Sequence, residues 1–184
     1  VAALLGANAA GVATAGLIGL VTGVLAVSAG NRPRLNEALE AIAALVATLL
    51  VAAVATFVTP VPVKTLIVAS LIVLMPGLML TNAVSELSAR HLVSGTARFA
   101  GAMMILLKLT FGTVAGMQIV QLLGWQPQEA VAMAPALPVE LAALAVSAFA
   151  FAVLFQAARR DYPLVMASVL LGYGLTRLGG EVLG

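Results

Sequence analysis

The sequence predicts an all-α fold, a polytopic transmembrane helix bundle of about six spans, on three observations. Apolar runs continue for about 20 residues without a polar face, the length a helix needs to cross a hydrocarbon core. Charged residues make up 9% of the chain and hydrophobic residues 62%, with a mean hydropathy of +1.15, whereas an ordinary soluble domain carries roughly 25% charged residues. Most of the remaining charges collect at the breaks between runs. Lipid, not water, is the expected solvent for most of this surface.

The first span runs from about Ala9 to Ala29 and is closed by Gly30 and the polar loop NRPRLNE. A second, from about Ala38 to Val58, is closed by TPVP. The third starts near Val63, contains Pro76-Gly77, and ends between Val84 and Leu92. The fourth covers about Gly95 to Leu123, the fifth Val139 to Ala157 and the sixth Pro163 to Leu178. Short cytoplasmic loops collect Lys and Arg. Arg32 and Arg34, then Arg90 and Arg98, then Arg159 and Arg160 all fall on one side of this arrangement, which starts span one outside. The stretch WQPQEAVAMAPALP, without Lys or Arg, falls on the other side, with Lys64 and Arg177. Trp125 and Tyr162 stand at boundaries, where amphipathic rings anchor to the interface.

Three organisational units are expected: membrane helices over 1–124, an extracytoplasmic linker over 125–138, and the start of a second membrane half over 139–184. VAALLGANAAG carries no positive leader and looks like the tail of an earlier helix. LGGEVLG stops without a loop, so the chain is expected to be a segment of a longer protein.

The net charge of +2 comes from nine basic residues dispersed between apolar spans. No basic stripe with interleaved aromatics tracks a phosphate backbone, so nucleic acid is not an expected partner. Absence of cysteine excludes disulfides and thiolate chemistry, and one histidine cannot build a His/Cys metal cage. No cofactor and no metal is expected. His91, beside Arg90 at a helix end, reads as interfacial or structural rather than catalytic, and no enzyme is predicted.

Membrane helices associate through close van der Waals packing, which small residues four apart permit. Span one carries Gly11, Ala15, Gly19 and Gly23, and span four carries Gly112 and Gly116 with Ala97 and Gly101 on the same face. Both helices are expected deep in the bundle. Lys108 shares the glycine face of span four, about ten residues or roughly 15 Å in from Arg98. An ammonium near the bilayer centre would face an interior cavity or a partner; the alternative is that it snorkels to an interface.

Pro76 removes a helical donor and clashes with the Ile72 carbonyl, while Gly77 adds backbone freedom. One or two carbonyls near Ile72 and Val73 should lose their helical partners. Irregular backbone at depth is tolerated inside protein or beside a wet cavity, and transporters use such breaks to meet substrate. If helix resumes, Asn82, Glu86 and Arg90 share one face, an amide, a carboxylate and a guanidinium able to meet a zwitterion. A proline kink followed by an amphipathic end with a Glu-Arg i,i+4 pair fits equally well.

The run LMPGLMLTNAVSELSARHLVSGTARFAGAMMILLKLTFGTVAGMQI resembles the threonine/serine exporter family. The likeness lies in Pro76-Gly77, Thr81-Asn82, an acidic residue at Glu86, where the family has Asp, Ser94-Gly95, and a glycine-containing helix. AFAFAVLFQAARRDYPLVMASVLLGYGLTRLG looks like the opening of the family's second membrane half, with Phe151 and Phe155, Arg159 and Arg160, then Gly172 and Gly174. Gln156 and Ala157 depart from the family's Asn-x-Pro, so no role is carried to that turn. Together the two stretches cover about half of the chain. The resemblance implies two related membrane halves after a soluble N-terminal domain, and export of small hydroxy amino acids driven by the proton-motive force, with some relatives exporting a dicarboxylate.

The expectation is therefore a multi-pass exporter of threonine- or serine-like substrates in the inner (plasma) membrane. Its site would be Pro76, Gly77, Thr81, Asn82, Glu86 and Lys108. Its partners would be the substrate, protons, the lipid bilayer, and the rest of the transporter, another membrane subunit or a second copy in a homo-oligomer. A dicarboxylate exporter leaning on Lys108 and Arg98, and a non-transporting membrane scaffold, are the alternatives.

Overall fold

A computed structural model describes all residues except 31, 132–135, 155 and 184, with side chains as far as Gly180. Asn31 of the NRPR loop, the middle of the expected linker, and Phe155 lie outside the described residues. Helices α1 (Ala9–Ala29), α2 (Pro33–Glu37), α3 (Leu39–Phe57), α4 (Val63–Leu71), α5 (Gly77–Ser88), α6 (Leu92–Leu122), α7 (Leu137–Leu154) and α8 (Tyr162–Leu183) follow one another. The chain is all-α. It forms two compact units: Ala7–Ala132 with Ala2, and Met133–Gly184 with Val1 and Ala3–Gly6.

Helix α3 is the axis of the larger unit, packing against α1, α4 and α6, while α5 packs on α6. Its buried positions, Ala43, Ala44, Ala47, Thr48, Val51, Ala52 and Ala55, are mostly small. Small side chains let neighbouring helices come close, where dispersion contacts hold them. Around them gather Ile18, Val61, Val63, Leu66, Ile67, Leu71 and Leu109. Outward-facing positions stay apolar, including Leu20, Val24, Val27, Leu107 and Phe111, as a lipid-facing surface requires.

Helices α3 and α6 run parallel in one register, offset by 68 residues: Lys108 meets Glu40, Gly112 meets Ala44, Gly116 meets Thr48, and Trp125 meets Phe57 edge to face at 5.2 Å. After α6 the chain returns to the α3–α4 connection, where the Val61 amide donates to the Gln128 carbonyl (3.3 Å) and the Ala130 amide to the Val61 carbonyl (3.2 Å).

Among the described residues, four helices are long and apolar enough to cross a membrane: α1, α3, α6 and α7. The pair Val63–Leu74 and Gly77–Ser88, bent by 62°, would make a fifth. The expected count of six is therefore corrected to four or five. Helix α8 is long enough at 22 residues, but Arg177, two tyrosines and its glycines dilute its apolar content.

The expectation that both glycine helices lie deep is half corrected. Gly112 and Gly116 are buried against α3, whereas Gly19 and Gly23 of α1 are exposed, with no neighbour within 4 Å of an added Cβ. Spacing alone identifies a smooth face; it does not say whether a partner occupies it.

In the smaller unit α7 packs on α8. Phe149 and Tyr162 meet edge to face at 6.0 Å, so Tyr162 packs at the turn between the two helices.

Candidate functional site

Proline forces the residue before it out of the helical region, and Met75 is extended, at φ −67° and ψ 132°. Just upstream the chain tightens into a 3-10 turn over Ile72–Leu74. There the Ile72 carbonyl accepts from the Met75 amide at 3.3 Å. The Ile72 carbonyl has lost its α-helical partner, as expected, and the local tightening that often marks a hinge supplies a donor from within instead. The Gly77 amide donates to the Met75 carbonyl at 2.8 Å. Pro76 itself is buried and Gly77 exposed.

Helix α5 begins at Gly77 and leaves Thr81 and Asn82 exposed. The Thr81 hydroxyl turns back to donate to the Gly77 carbonyl at 2.9 Å. Asn82 flanks buried Ala83, one turn before Glu86.

Glu86 pairs with Arg98 across the α5–α6 contact, Nε to Oε1 at 2.7 Å. The expected face of Asn82, Glu86 and Arg90 is corrected here, because α5 ends before Arg90. Arg90 takes the left-handed conformation at φ 64°. The His91 amide donates to the Glu86 carbonyl (2.9 Å) and the Arg90 amide to the Leu87 carbonyl (3.1 Å), the pairing of a Schellman helix end. That turn sends the chain back along α5. A Cβ on Gly95 would come within 2.8 Å of Leu87, and one on Gly101 within 3.5 Å of the Met79 sulfur. Arg98 thereby reaches the carboxylate in place of Arg90. The other oxygen, Oε2, is enclosed and meets no donor in hydrogen-bonding geometry among the described residues; the Ser94 hydroxyl nearby donates to the His91 carbonyl at 3.3 Å.

Lys108 is one third exposed and already partnered. Its ammonium donates to the Glu37 carbonyl at 2.7 Å and reaches Glu40 Oε2 at 3.4 Å. Both partners stand at the junction of α2 and α3, so Lys108 lies level with the start of α3. Halfway along α6, Lys108 thus stands beside the first turn of α3 rather than its middle. From Arg98 to Lys108 is ten residues, about 15 Å along α6. The six expected residues therefore form separate groups: the Pro76-Gly77 break with Thr81 and Asn82, the Glu86–Arg98 pair, and Lys108 at the α2–α3 junction.

Two charged partners escaped the sequence reading. Glu40 was the acidic residue opening an apolar run. Glu140 lay within the fifth apolar span, where a lone carboxylate is itself a signal; it is buried and pairs with Tyr173 and Arg177 of α8.

Residues 1–120 match the family model ThrE, "Putative threonine/serine exporter". No curated protein and no solved structure matched the chain.

Proposed function

The chain belongs to the threonine/serine exporter family, a family of membrane transporters, and from that premise we propose that it exports threonine- or serine-like small amino acids from the cell. The observation that carries this reading is the family match itself, which spans all six candidate residues. The transporter sits in the inner (plasma) membrane, and the proton-motive force drives it.

In this reading the Pro76-Gly77 break supplies the joint about which α5 moves, and the 62° bend and adjoining 3-10 turn are the features that support it. Asn82 and Thr81, on the open face of α5, offer an amide and a hydroxyl to substrate polar groups. Glu86 acts as proton carrier or as partner of the substrate ammonium, and must first exchange Arg98 for that ligand. Lys108 takes the substrate carboxylate at a different stage of transport from Glu86, because about 15 Å of α6 separates it from the Glu86–Arg98 pair and one small amino acid cannot reach both. Its 3.4 Å separation from Glu40 is longer than the 2.7–2.9 Å of a strong charge-assisted bond, which leaves this contact open to exchange.

Efflux of preloaded radiolabelled threonine, serine and succinate from cells expressing the full-length protein, with and without an uncoupler, tests the proposal. Uncoupler-sensitive export of the two amino acids is expected. Export of succinate alone would move the reading to a dicarboxylate exporter, and export of none by protein shown to be in the membrane would overturn transport altogether.

A further inference from the structure

The α7–α8 pair carries a charged cluster outside the family match. Glu140 stands in the first turn of α7 and is 8% exposed. Tyr173 and Arg177 lie four apart on one face of α8, and both donate to the same carboxylate oxygen, Oε1: the Tyr173 hydroxyl at 2.8 Å, and the Arg177 guanidinium through Nη1.

The two charged partners are unequally placed. The side chain of Arg177 is 51% exposed and that of Glu140 only 11%. If α8 shifts against α7, the long arginine can follow water or lipid headgroups, whereas Glu140 remains on the buried stripe of α7 that continues one turn on at Leu144. A carboxylate so enclosed is tolerated as an anion while its partners are present, and without them it neutralises instead. Opening the contact and taking up a proton are therefore one event.

We propose that Glu140, with Tyr173 and Arg177 as its hydrogen-bond partners, is a proton-binding site that fills when the α7–α8 contact opens. The proton comes from hydronium in the aqueous phase, which is left as water, and adds to a carboxylate oxygen; the hydrogen bonds to Tyr173 and Arg177 break as it does so. In the positive-inside orientation the start of α7 faces outward, the side from which the proton-motive force delivers protons. Coupling to export rests on the proton-driven reading above; proton binding at Glu140 does not.

Dicyclohexylcarbodiimide, which modifies protonated carboxyls in apolar sites, tests the site in membranes containing the full-length protein, with the Glu140 peptide followed by mass spectrometry. Labelling should be low at neutral pH and rise as the pH falls. Arg177→Gln should raise neutral-pH labelling at least about tenfold, and Arg177→Lys should return it toward the wild-type level. Tyr173→Phe, which keeps the charges, should raise it about threefold and serves if the arginine variants fail to insert. Equal labelling of the wild type and these variants at every pH would overturn the site. Export by Glu140→Gln is then measured with uncoupler: lost uncoupler sensitivity supports coupling, and retained sensitivity removes the coupling while leaving the labelling result to stand. A wild type that exports nothing would sink the exporter reading without touching the labelling.

Discussion

Gly112 of α6 lies in backbone contact with Ala41 of α3: a Cβ on Gly112 would come within 2.2 Å of the Ala41 carbonyl oxygen and 2.8 Å of the Ala44 methyl. Backbone cannot move aside as a flexible side chain can. The two helices must separate to admit even one carbon, and the Gly116–Thr48 contact four residues on would open with them. Gly112→Ala should therefore destabilise the folded protein by about 1–3 kcal/mol, in the range of overpacked cores. Gly19→Ala, with nothing within 4 Å, should stay within about 0.5 kcal/mol. Melting temperatures of the two variants in detergent check the contrast; equal losses would refute the α3–α6 register.

The link between Lys108 and Glu40 is long and partly exposed, 3.4 Å with side chains 33% and 19% accessible. Its coupling should be small, below about 1 kcal/mol in a double-mutant cycle of Lys108→Met and Glu40→Gln. The Lys108 single variant should lose more than this, because the Glu37 carbonyl loses its donor as well. A coupling of several kcal/mol would mean that the pair is a fixed strut and unsuited to exchange with a substrate carboxylate.

The Glu86–Arg98 contact separates a structural from a transport role. Glu86→Gln and Asn82→Ala should each abolish most export while the protein remains inserted, as judged by membrane fractionation. The charge swap Glu86→Arg with Arg98→Glu should keep the α5–α6 contact yet fail to restore export. Full export by the swap would reduce Glu86 to a helix staple.

Arg90 and Gln156 occupy left-handed backbone, at φ 64° and 51°. Such a position costs a residue with a Cβ about 1 kcal/mol or more, and glycine almost nothing. Gly124, at φ 69°, fills the equivalent place after α6. Arg90→Gly should raise thermal stability by up to about 1 kcal/mol, and Arg90→Val should lower it. A loss of stability in Arg90→Gly would show that the arginine side chain supports the turn.

The helical class and the positions of α1, α3, α6 and α7 were legible because an uninterrupted apolar run about 20 residues long has few alternatives in lipid. The break at Pro76-Gly77 was legible for an equally local reason, since proline acts on its own residue and those immediately before it. The candidate site was legible as a set of residue types and illegible as an arrangement. Glu86 was matched with Arg90 by helical spacing, and the Schellman turn at Arg90 replaced that partner with Arg98, twelve positions away. Lys108 was placed by counting along one helix, and only a second helix alongside set it beside the first turn of α3. Glu40 and Glu140 stand out as lone acids in apolar runs, but local spacing names no partner for either; their partners lie 68 and 37 residues further on.

By itself the sequence determined the solvent, the class of fold, the break at Pro76-Gly77 and the family, each of which depends on composition or on neighbours within a turn or two of chain. Tertiary structure alone decided which glycine stripe is buried, how far along α3 Lys108 sits, and which cation each carboxylate meets. Those outcomes follow from helix register and helix ends, where a contact joins residues that no local spacing relates.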